Sequence, residues 1–336
     1  MNPLPSVAPG LESPDVGSST HWRLIGRTRV LHLEVHPHEV LSYEEFQRVA
    51  GPAIALDGYV SGPTVIPPGL THVTFNHHEG SARLTTRATC EQIALALHGR
   101  LARHWDNNAL TVHINDADPD VCLAVWLLAN PERVHESSVV RMVSAESWLD
   151  STAGCMAPAL EPAEAAGLSW VFAPCFALSP YAKAPVLAAC VSEVAERIDA
   201  HLAGTGGTVT DPCDYKILSR HGPVVVVGEA SPLARSRFLD DGIEVYVLVR
   251  ARRGRHYYLS IGVTDIAVPY DLTSVYTALN AAEGLSGSEC WSGADLVGGS
   301  PRSIGTLLDP KQVAALIACH LAAQADRSPS ARIIDR

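Results

Sequence analysis

The sequence lacks an excess of basic residues, a long apolar run and any Cys-x-x-Cys pair. Its formal net charge of −11 disfavours binding to long nucleic acid, which requires a basic surface to displace counterions. The apolar run 121–129 is too short to cross a membrane, and the N-terminus has no basic-then-apolar signal segment. These absences predict a cytoplasmic protein without a membrane partner.

The rest of the composition is typical of a folded globular protein. Apolar residues make up 47% of the 336 residues and charged residues 18%, and the length suffices for two domains with separate cores. Eight cysteines are scattered along the chain, several within apolar helical patterns, so we expect reduced thiols in the core. The acidic composition still allows a small anionic substrate in a local pocket as the partner, and a homodimer is left open.

Strand and helix patterns predict an α/β fold with two domains. In the first half, short apolar strands alternate with helical segments at the spacing of a mainly parallel sheet. The second half combines strands rich in β-branched and aromatic residues with helices, which is typical of a smaller α+β domain. The predicted divisions are a disordered arm at 1–20, an N-terminal domain at 21–155, a linker at 156–185, a C-terminal domain at 186–326 and a tail at 327–336.

Histidines and aspartates occur where the predicted elements of the first domain end. The motif FNHHEG (75–80) closes one apolar run, and three aspartates at alternate positions precede a buried helix further along. Ligands of an open α/β sheet bind at the carboxyl edge of its strands, so we expect these side chains to meet there. The predicted group consists of Asp57, His77, His78, Asp116, Asp118, Asp120 and Asp150.

Imidazoles and carboxylates in this number are typical ligands of a Mn²⁺ or Mg²⁺ pair. Two such ions about 3.5–4 Å apart can lower the pKa of a shared water and clamp a displacement at phosphorus. A simpler interpretation stays open for single residues, because an aspartate ahead of a helix is often its N-cap, as Asp118 or Asp120 could be. A histidine pair in a loop is also often only solvated. The combination of all these residues favours a metal site.

These motifs resemble those of the DHH phosphoesterase superfamily. FNHHEG is similar to its Asp-His-His motif, and HINDADPDVCLAVWLL is similar to its Asp-x-Asp motif followed by a helix. ALDGYV resembles the strand-end aspartate motif and SWLDSTAG the late aspartate followed by threonine, so the similarity covers roughly residues 50–155. The resemblance implies a DHH-like catalytic domain at 21–155 holding two ions, Mn²⁺ or Mg²⁺. The metal ligands that it implies are Asp57, His77, Asp118, Asp120 and Asp150, with Asp116 or His113 as an alternate or extra ligand.

The resemblance also implies a catalytic role for His78, which would contact the scissile phosphate as a general acid or electrostatic stabiliser. The chain departs from the family at two points. Asn76 stands where the signature aspartate is expected, and the Asp-x-Asp motif follows the His-His motif instead of preceding it. A neutral amide at Asn76 leaves open a DHH-like ligand-binding protein with impaired catalysis.

A second similarity covers roughly residues 210–325. The segment 293–305 resembles the glycine-rich loop of the smaller domain that accompanies DHH catalytic domains, where backbone N–H groups and a basic side chain bind substrate. Glycine permits close approach of the backbone to an anion, and arginine can form a forked bond to phosphate. The implied substrate-binding residues are Gly298, Gly299, Ser300 and Arg302. A plain surface loop is the alternative interpretation.

The function that we expect from the sequence is metal-dependent hydrolysis of a phosphoester or phosphoanhydride bond in a small phosphorylated or nucleotide substrate. Hydrolysis of another kind of bond stays open, because the same ligands can activate water against other electrophiles. His36-Pro37-His38 has a spacing seen in metal sites, but nothing nearby in the sequence completes a ligand set. We therefore predict that this segment is a surface loop.

Overall fold

A computed structural model describes residues 11–12, 21–26, 29–78, 81–105, 110–156, 158–229, 231–265, 270–287 and 289–327. The chain divides into two compact units, one of residues 1–151 and 158–210 and one of residues 152–157 and 211–336. Apart from the strand Leu11–Glu12, the predicted arm lies outside the described residues, and so does the predicted tail beyond Arg327.

The first unit is built on a six-stranded sheet with the strand order β1-β2-β3-β6-β4-β5. β1, β2 and β3 pair antiparallel, whereas β3, β6, β4 and β5 run parallel. The carboxyl ends of the parallel strands lie at one edge of the sheet. The residues that follow these strands in the sequence therefore lie at the same edge. The strands are β1 (Leu11–Glu12), β2 (His21–Ile25), β3 (Val30–Val35), β4 (Ala53–Leu56), β5 (His72–Phe75) and β6 (Thr111–Ile114).

Most helices pack against the face of this sheet that carries apolar side chains such as Leu31, Ile54 and Val112. The helices of the first unit are α1 (Tyr43–Phe46), α2 (Thr89–His98), α3 (Pro119–Ala129), α4 (Ser137–Ser151), α5 (Pro162–Phe176) and α6 (Ala184–Leu202). α3 begins with an N-cap at Asp118 and a proline in its first turn, and its residues 120–129 are all buried. It lies in the larger core, with residues of α2, α4, α5 and α6. A smaller cluster around Phe46 and Tyr59 covers the other face.

The predicted linker at 156–185 differs from the structure, which contains α5 there. Several prolines suggested an irregular connection, but Pro162 lies in the first turn of α5, where its missing N–H leaves no hydrogen bond unmade. Leu168 and Val171 of this helix are buried in the larger core. α6, predicted to open the C-terminal domain, also belongs to the first unit and buries Leu187 and Val191 in the same core.

The second unit is a mixed six-stranded sheet with the order β11-β12-β10-β9-β8-β7, in which only β8 and β9 pair in parallel among the described strands. Two helices cover one face through Val275 and Val313, and Phe238 packs on the other. The elements are β7 (Tyr215–His221), β8 (Val224–Glu229), β9 (Val245–Arg253), β10 (His256–Val263), α7 (Leu272–Glu283), β11 (Ser292–Gly293), β12 (Val297–Gly299) and α8 (Pro310–Arg327).

The predicted mixture of helices and strands is confirmed, with one mostly parallel sheet and one mixed sheet. Within the described part of the chain, we find no helix that combines the length and the apolar character needed to cross a membrane.

Candidate metal centre

Residues at the ends of three parallel strands converge with the last turn of a helix. Asp57 directly follows β4 and has a left-handed backbone with φ of 46°, a conformation that aspartate adopts more readily than most residues. His77 and His78 follow β5, and Asp120 lies in the first turn of the helix after β6. Asp150 comes from the end of α4. The topology of the sheet therefore brings together side chains that are far apart in the sequence.

His77 is the centre of this group. Its Nε2 atom lies 2.8 Å from Asp150 Oδ2, 3.2 Å from Asp57 Oδ1 and 3.9 Å from Asp120 Oδ2. His78 Nε2 lies 2.8 Å from the same oxygen of Asp57. Two overlapping sets of three potential ligands result, Asp57-His77-His78 and His77-Asp120-Asp150, which share His77. We refer to these five residues as the His77 cluster.

The spacing of these atoms fits coordination of a shared cation. Ligands of an octahedral ion at 2.0–2.1 Å are roughly 3 Å apart, close to the separations around His77 Nε2. One imidazole nitrogen carries at most one hydrogen, so it cannot donate to several carboxylates at once. His78 Nε2 and Asp150 Oδ2 are buried, and each has a close contact of 2.8 Å, to Asp57 Oδ1 and to His77 Nε2 respectively. Buried atoms in such contacts can also bind a metal ion that lies between them.

The carboxyl groups in and around the His77 cluster fall into two kinds, those whose pKa is lowered and those whose pKa is raised. Burial alone would raise the pKa of Asp57, but His78 and His77 hold it well below its usual range. Burial likewise opposes the charged form of Asp150, yet His77 and the guanidinium of Arg83 lower its pKa to about 2. Burial also disfavours a charged His77, but Asp150 and Asp57 raise its pKa to about 10. Without a bound ion, these two carboxylates are therefore ionised and His77 is protonated, so a metal that binds its nitrogen displaces that proton.

The remaining acids are protonated more readily. Burial, followed by the nearby charges of Asp150 and Asp57, raises the pKa of Asp120 to about 6. Burial also raises the pKa of Asp118 well above its usual value, and the other acids of the site add to the effect. So many acidic groups in one buried region repel each other, and a divalent cation would relieve that repulsion.

Asp116 and Asp118, both predicted as ligands, are not members of the His77 cluster. Asp118 Oδ1 accepts a hydrogen bond of 2.8 Å from Val121 N and caps α3, which is the simpler role that the sequence left open. Asp116 is exposed, and its Oδ1 accepts a hydrogen bond from Ala117 N at 2.7 Å. Asp118 therefore satisfies a free N–H group of α3, whereas Asp116 bonds to the backbone ahead of that helix.

The implied alternate ligand His113 does not join the cluster either. On β6, Val112 and Ile114 point into the larger core, so strand alternation turns His113 to the other face of the sheet. There it stacks on Tyr59 with 5.4 Å between ring centroids. Burial lowers the pKa of His113 to about 4, so its ring is neutral near pH 7.

Asp120 has a structural task besides its place in the cluster. Its two carboxylate oxygens accept hydrogen bonds from Thr89 N at 2.8 Å and Cys90 N at 2.7 Å, at the start of α2. The N-cap residue of this helix, Ala88, has no side chain that could do so. A residue distant in sequence therefore caps α2.

We expect Asp120→Ala to lower the free energy of unfolding by about 2–3 kcal/mol, because two buried N–H groups lose a charged acceptor. Urea denaturation in the presence of a chelator measures this without a contribution from bound metal. Asp240→Asn, at an exposed position, is the control and should leave the urea midpoint unchanged. An Asp120→Ala variant as stable as the control would contradict the capping role.

Sequence reasoning missed two residues that support the His77 cluster. Arg83 is 3% exposed, donates to the backbone oxygen of Asp150 at 2.6 Å and places Nη2 3.3 Å from His77 Nε2. Thr89 Oγ1 donates to Asp57 Oδ1 at 3.2 Å. Neither residue belongs to a motif, and both are brought in by the packing of the segments after β5. Their contacts orient the ligands, a function that often decides metal affinity.

Asn76 has a defined role in the structure. It is 2% exposed, its Nδ2 donates to the carbonyls of Val60 at 3.2 Å and Gly62 at 2.7 Å, and its Oδ1 accepts from His78 N at 3.0 Å. The surroundings of this side chain thus require a hydrogen-bond donor on one side and an acceptor on the other, and the amide supplies both. Aspartate cannot meet both requirements in its ionised form. Glu79 and Gly80 of the same motif lie outside the described residues.

The implied glycine-rich loop of the second unit contains a short strand. Gly298 and Gly299 lie in β12 and pair with Ile261 and Ser260 of β10. A Cβ atom at Gly298 would lie 2.4 Å from the hydroxyl of Tyr276, so close packing requires glycine there. The Ser300 hydroxyl accepts a hydrogen bond from Leu259 N at 3.1 Å, and Arg302 is exposed. Packing within the unit therefore explains the two glycines, and the binding role of these residues stays a prediction.

Comparison with known proteins identifies no relative, because no protein-family model matches the chain and no curated protein matches it. The resemblance to the DHH superfamily therefore stays a prediction from the motifs.

Proposed function

We propose that this protein is a metal-dependent hydrolase that cleaves a phosphoester or phosphoanhydride bond in a small phosphorylated or nucleotide substrate. The observation that carries the proposal is the His77 cluster, in which one imidazole nitrogen lies within 2.8–3.9 Å of three carboxylates. Two ions, Mn²⁺ or Mg²⁺, are the proposed cofactors, because both accept carboxylate oxygens and Mn²⁺ also accepts imidazole.

Each residue of the cluster has a distinct proposed task. Asp57, His77 and Asp150 would hold the metal, and Asp120 would join them from the start of α3. A bound metal of this type lowers the pKa of a water and offsets charge at phosphorus. Arg83 keeps Asp150 and His77 in place through its contacts with both.

His78 is the histidine of the cluster that is exposed enough to meet a substrate. Its side chain is 24% exposed, whereas that of His77 is fully buried. Asn76 fixes the backbone of His78, and Asp57 Oδ1 lies 2.8 Å from its Nε2. A histidine held in this way can stabilise charge on a phosphate oxygen or donate a proton to the leaving oxygen. This proposed role agrees with the one that the resemblance implies.

The acidic composition and the small number of basic residues favour a small anionic substrate over a long polymer. The test is a panel of phosphomonoesters, phosphodiesters, nucleotides, cyclic dinucleotides and pyrophosphate, assayed with the chelator-treated protein before and after addition of Mn²⁺. We expect Mn²⁺-dependent turnover of at least one class, and loss of that turnover in His78→Gln. No turnover of any class by protein loaded with Mn²⁺ would refute the hydrolase proposal.

A further inference from the structure

A second group of potential ligands lies on the other face of the first sheet. Glu34 of β3 and His113 of β6 are direct partners in the parallel pairing of these strands, and His36 follows β3 by one residue. Glu34 and His113 therefore project side by side, and His36 lies on the same side because strand residues alternate. This group shares no residue with the His77 cluster.

The three side chains are close enough to share one ion. Glu34 Oε2 lies 3.3 Å from His36 Nε2 and 3.8 Å from His113 Nδ1, and one ligand atom from each residue lies within 4.8 Å of the others. The two imidazole rings are stacked, with centroids 5.7 Å apart and an interplanar angle of 11°. Ligands at 2.0–2.2 Å from a tetrahedral ion are about 3.3–3.6 Å apart, so only small shifts are needed.

His113 provides independent evidence for a missing partner. The residue is 1% exposed, and neither of its ring nitrogens has a hydrogen-bond partner among the described residues. An imidazole buried in this state loses its bonds to water without replacement, which disfavours folding. Its Nδ1 points toward the Glu34 carboxylate at a distance longer than a hydrogen bond. A metal ion between the two groups would satisfy both.

The groups around these side chains also suit a metal site. His36 Nδ1 lies 3.1 Å from Glu39 Oε2, which leaves Nε2 of the same ring directed toward Glu34. A carboxylate that binds the second nitrogen of a histidine orients the ring and strengthens it as a ligand. Glu34 Oε1 lies 3.0 Å from His21 Nδ1, so the other oxygen remains for an ion.

We propose that Glu34, His36 and His113 bind one Zn²⁺ ion. Two imidazoles and one carboxylate form a zinc ligand set that leaves a fourth position for water or another small ligand. The side chains of Glu34 and His36 are 21% and 20% exposed, which gives the ion a path from solvent. The bound ion joins β3, β6 and the segment after β3, and therefore stabilises the folded unit by mass action.

The test requires the two metal sites to be separated. In a His77→Ala/Asp150→Asn background, we expect one equivalent of Co²⁺, a spectroscopic substitute for Zn²⁺, to bind and give the visible absorption bands of a low-coordinate site. Adding Glu34→Gln or His36→Gln should weaken this binding at least about 100-fold, because a direct ligand is lost. Adding His32→Gln, an exposed histidine on the same face of β3, should change neither the affinity nor the bands.

A second measurement omits the His77→Ala/Asp150→Asn background, so its result does not depend on whether that double variant folds. Wild-type protein dialysed against Zn²⁺ should contain one equivalent more than its Glu34→Gln variant, with unchanged far-ultraviolet circular dichroism. Glu34 and His36 are partly exposed, so their replacement should leave the fold intact. Equal zinc contents, or Co²⁺ bands that persist in both Glu34→Gln and His36→Gln, would overturn the proposal.

Discussion

Replacing Asp57 with asparagine is expected to lower metal-dependent hydrolysis by at least about 10³-fold. The change keeps the size of the side chain but removes a buried negative charge that lies within 3.2 Å of both His77 Nε2 and His78 Nε2. Loss of a ligand weakens the stabilisation of charge at phosphorus by several kcal/mol, and about 1.4 kcal/mol corresponds to a tenfold change in rate.

The measurement is kcat/KM for the best substrate of the panel at saturating Mn²⁺, with Asp240→Asn as the control. Asp240 is exposed and belongs to the second unit, so the same chemical change there should leave kcat/KM unaltered. Circular dichroism verifies that both variants fold. A folded Asp57→Asn protein that keeps wild-type kcat/KM would show that the His77 cluster is not where hydrolysis takes place.

Replacing Asn76 with aspartate is expected to destabilise the protein by about 3 kcal/mol, because an unpaired charge would be buried against two carbonyl oxygens. Those carbonyls, of Val60 and Gly62, now accept hydrogen bonds from Asn76 Nδ2. Urea denaturation with a chelator present gives the free energy of unfolding. Gln47→Glu makes the same amide-to-carboxylate change at an exposed position and should have little effect.

The same variant separates the enzyme from the impaired binding protein that the sequence left open. If Asn76 marked a lost catalytic carboxylate, aspartate would restore hydrolysis. We expect no restoration, because the amide already serves His78 by accepting its backbone N–H. An Asn76→Asp variant that is stable, and that hydrolyses substrates which the wild type does not, would favour the binding protein.

The sequence led to the expectation that Asp57, His77 and Asp150 meet, but the permuted order of the motifs did not establish their convergence. The first two follow parallel strands, whose carboxyl ends share one edge of the sheet, and the motifs mark their positions. The sequence could not show that Arg83 and Thr89 reach the same place, because no local pattern encodes the packing of the segment after β5.

Other differences from the structure have identifiable causes. Val112 and Ile114 flank His113 on β6, and alternate residues of a strand point to opposite faces. This alternation indicated that His113 lies on the face opposite the larger core. The prolines of 156–185 suggested a linker, although a proline in the first turn is compatible with α5. The glycines at 298–299 suggested a binding loop, whereas contact with Tyr276 explains Gly298. In each case the presence of the residue can be explained either by local structure or by tertiary packing, and the sequence alone does not distinguish the two explanations.

Titration with Mn²⁺ measures whether the His77 cluster holds metal ions. Metal-free protein titrated with Mn²⁺, and followed by the electron paramagnetic resonance signal of the free ion, should bind two equivalents per chain. His77→Ala removes a ligand and the neighbour that lies between Asp57 and Asp150, and should abolish this binding, whereas His32→Gln should leave it unchanged. A wild-type chain that binds no Mn²⁺, or a His77→Ala variant that binds it as well as the wild type, would show that the His77 cluster is not a metal site.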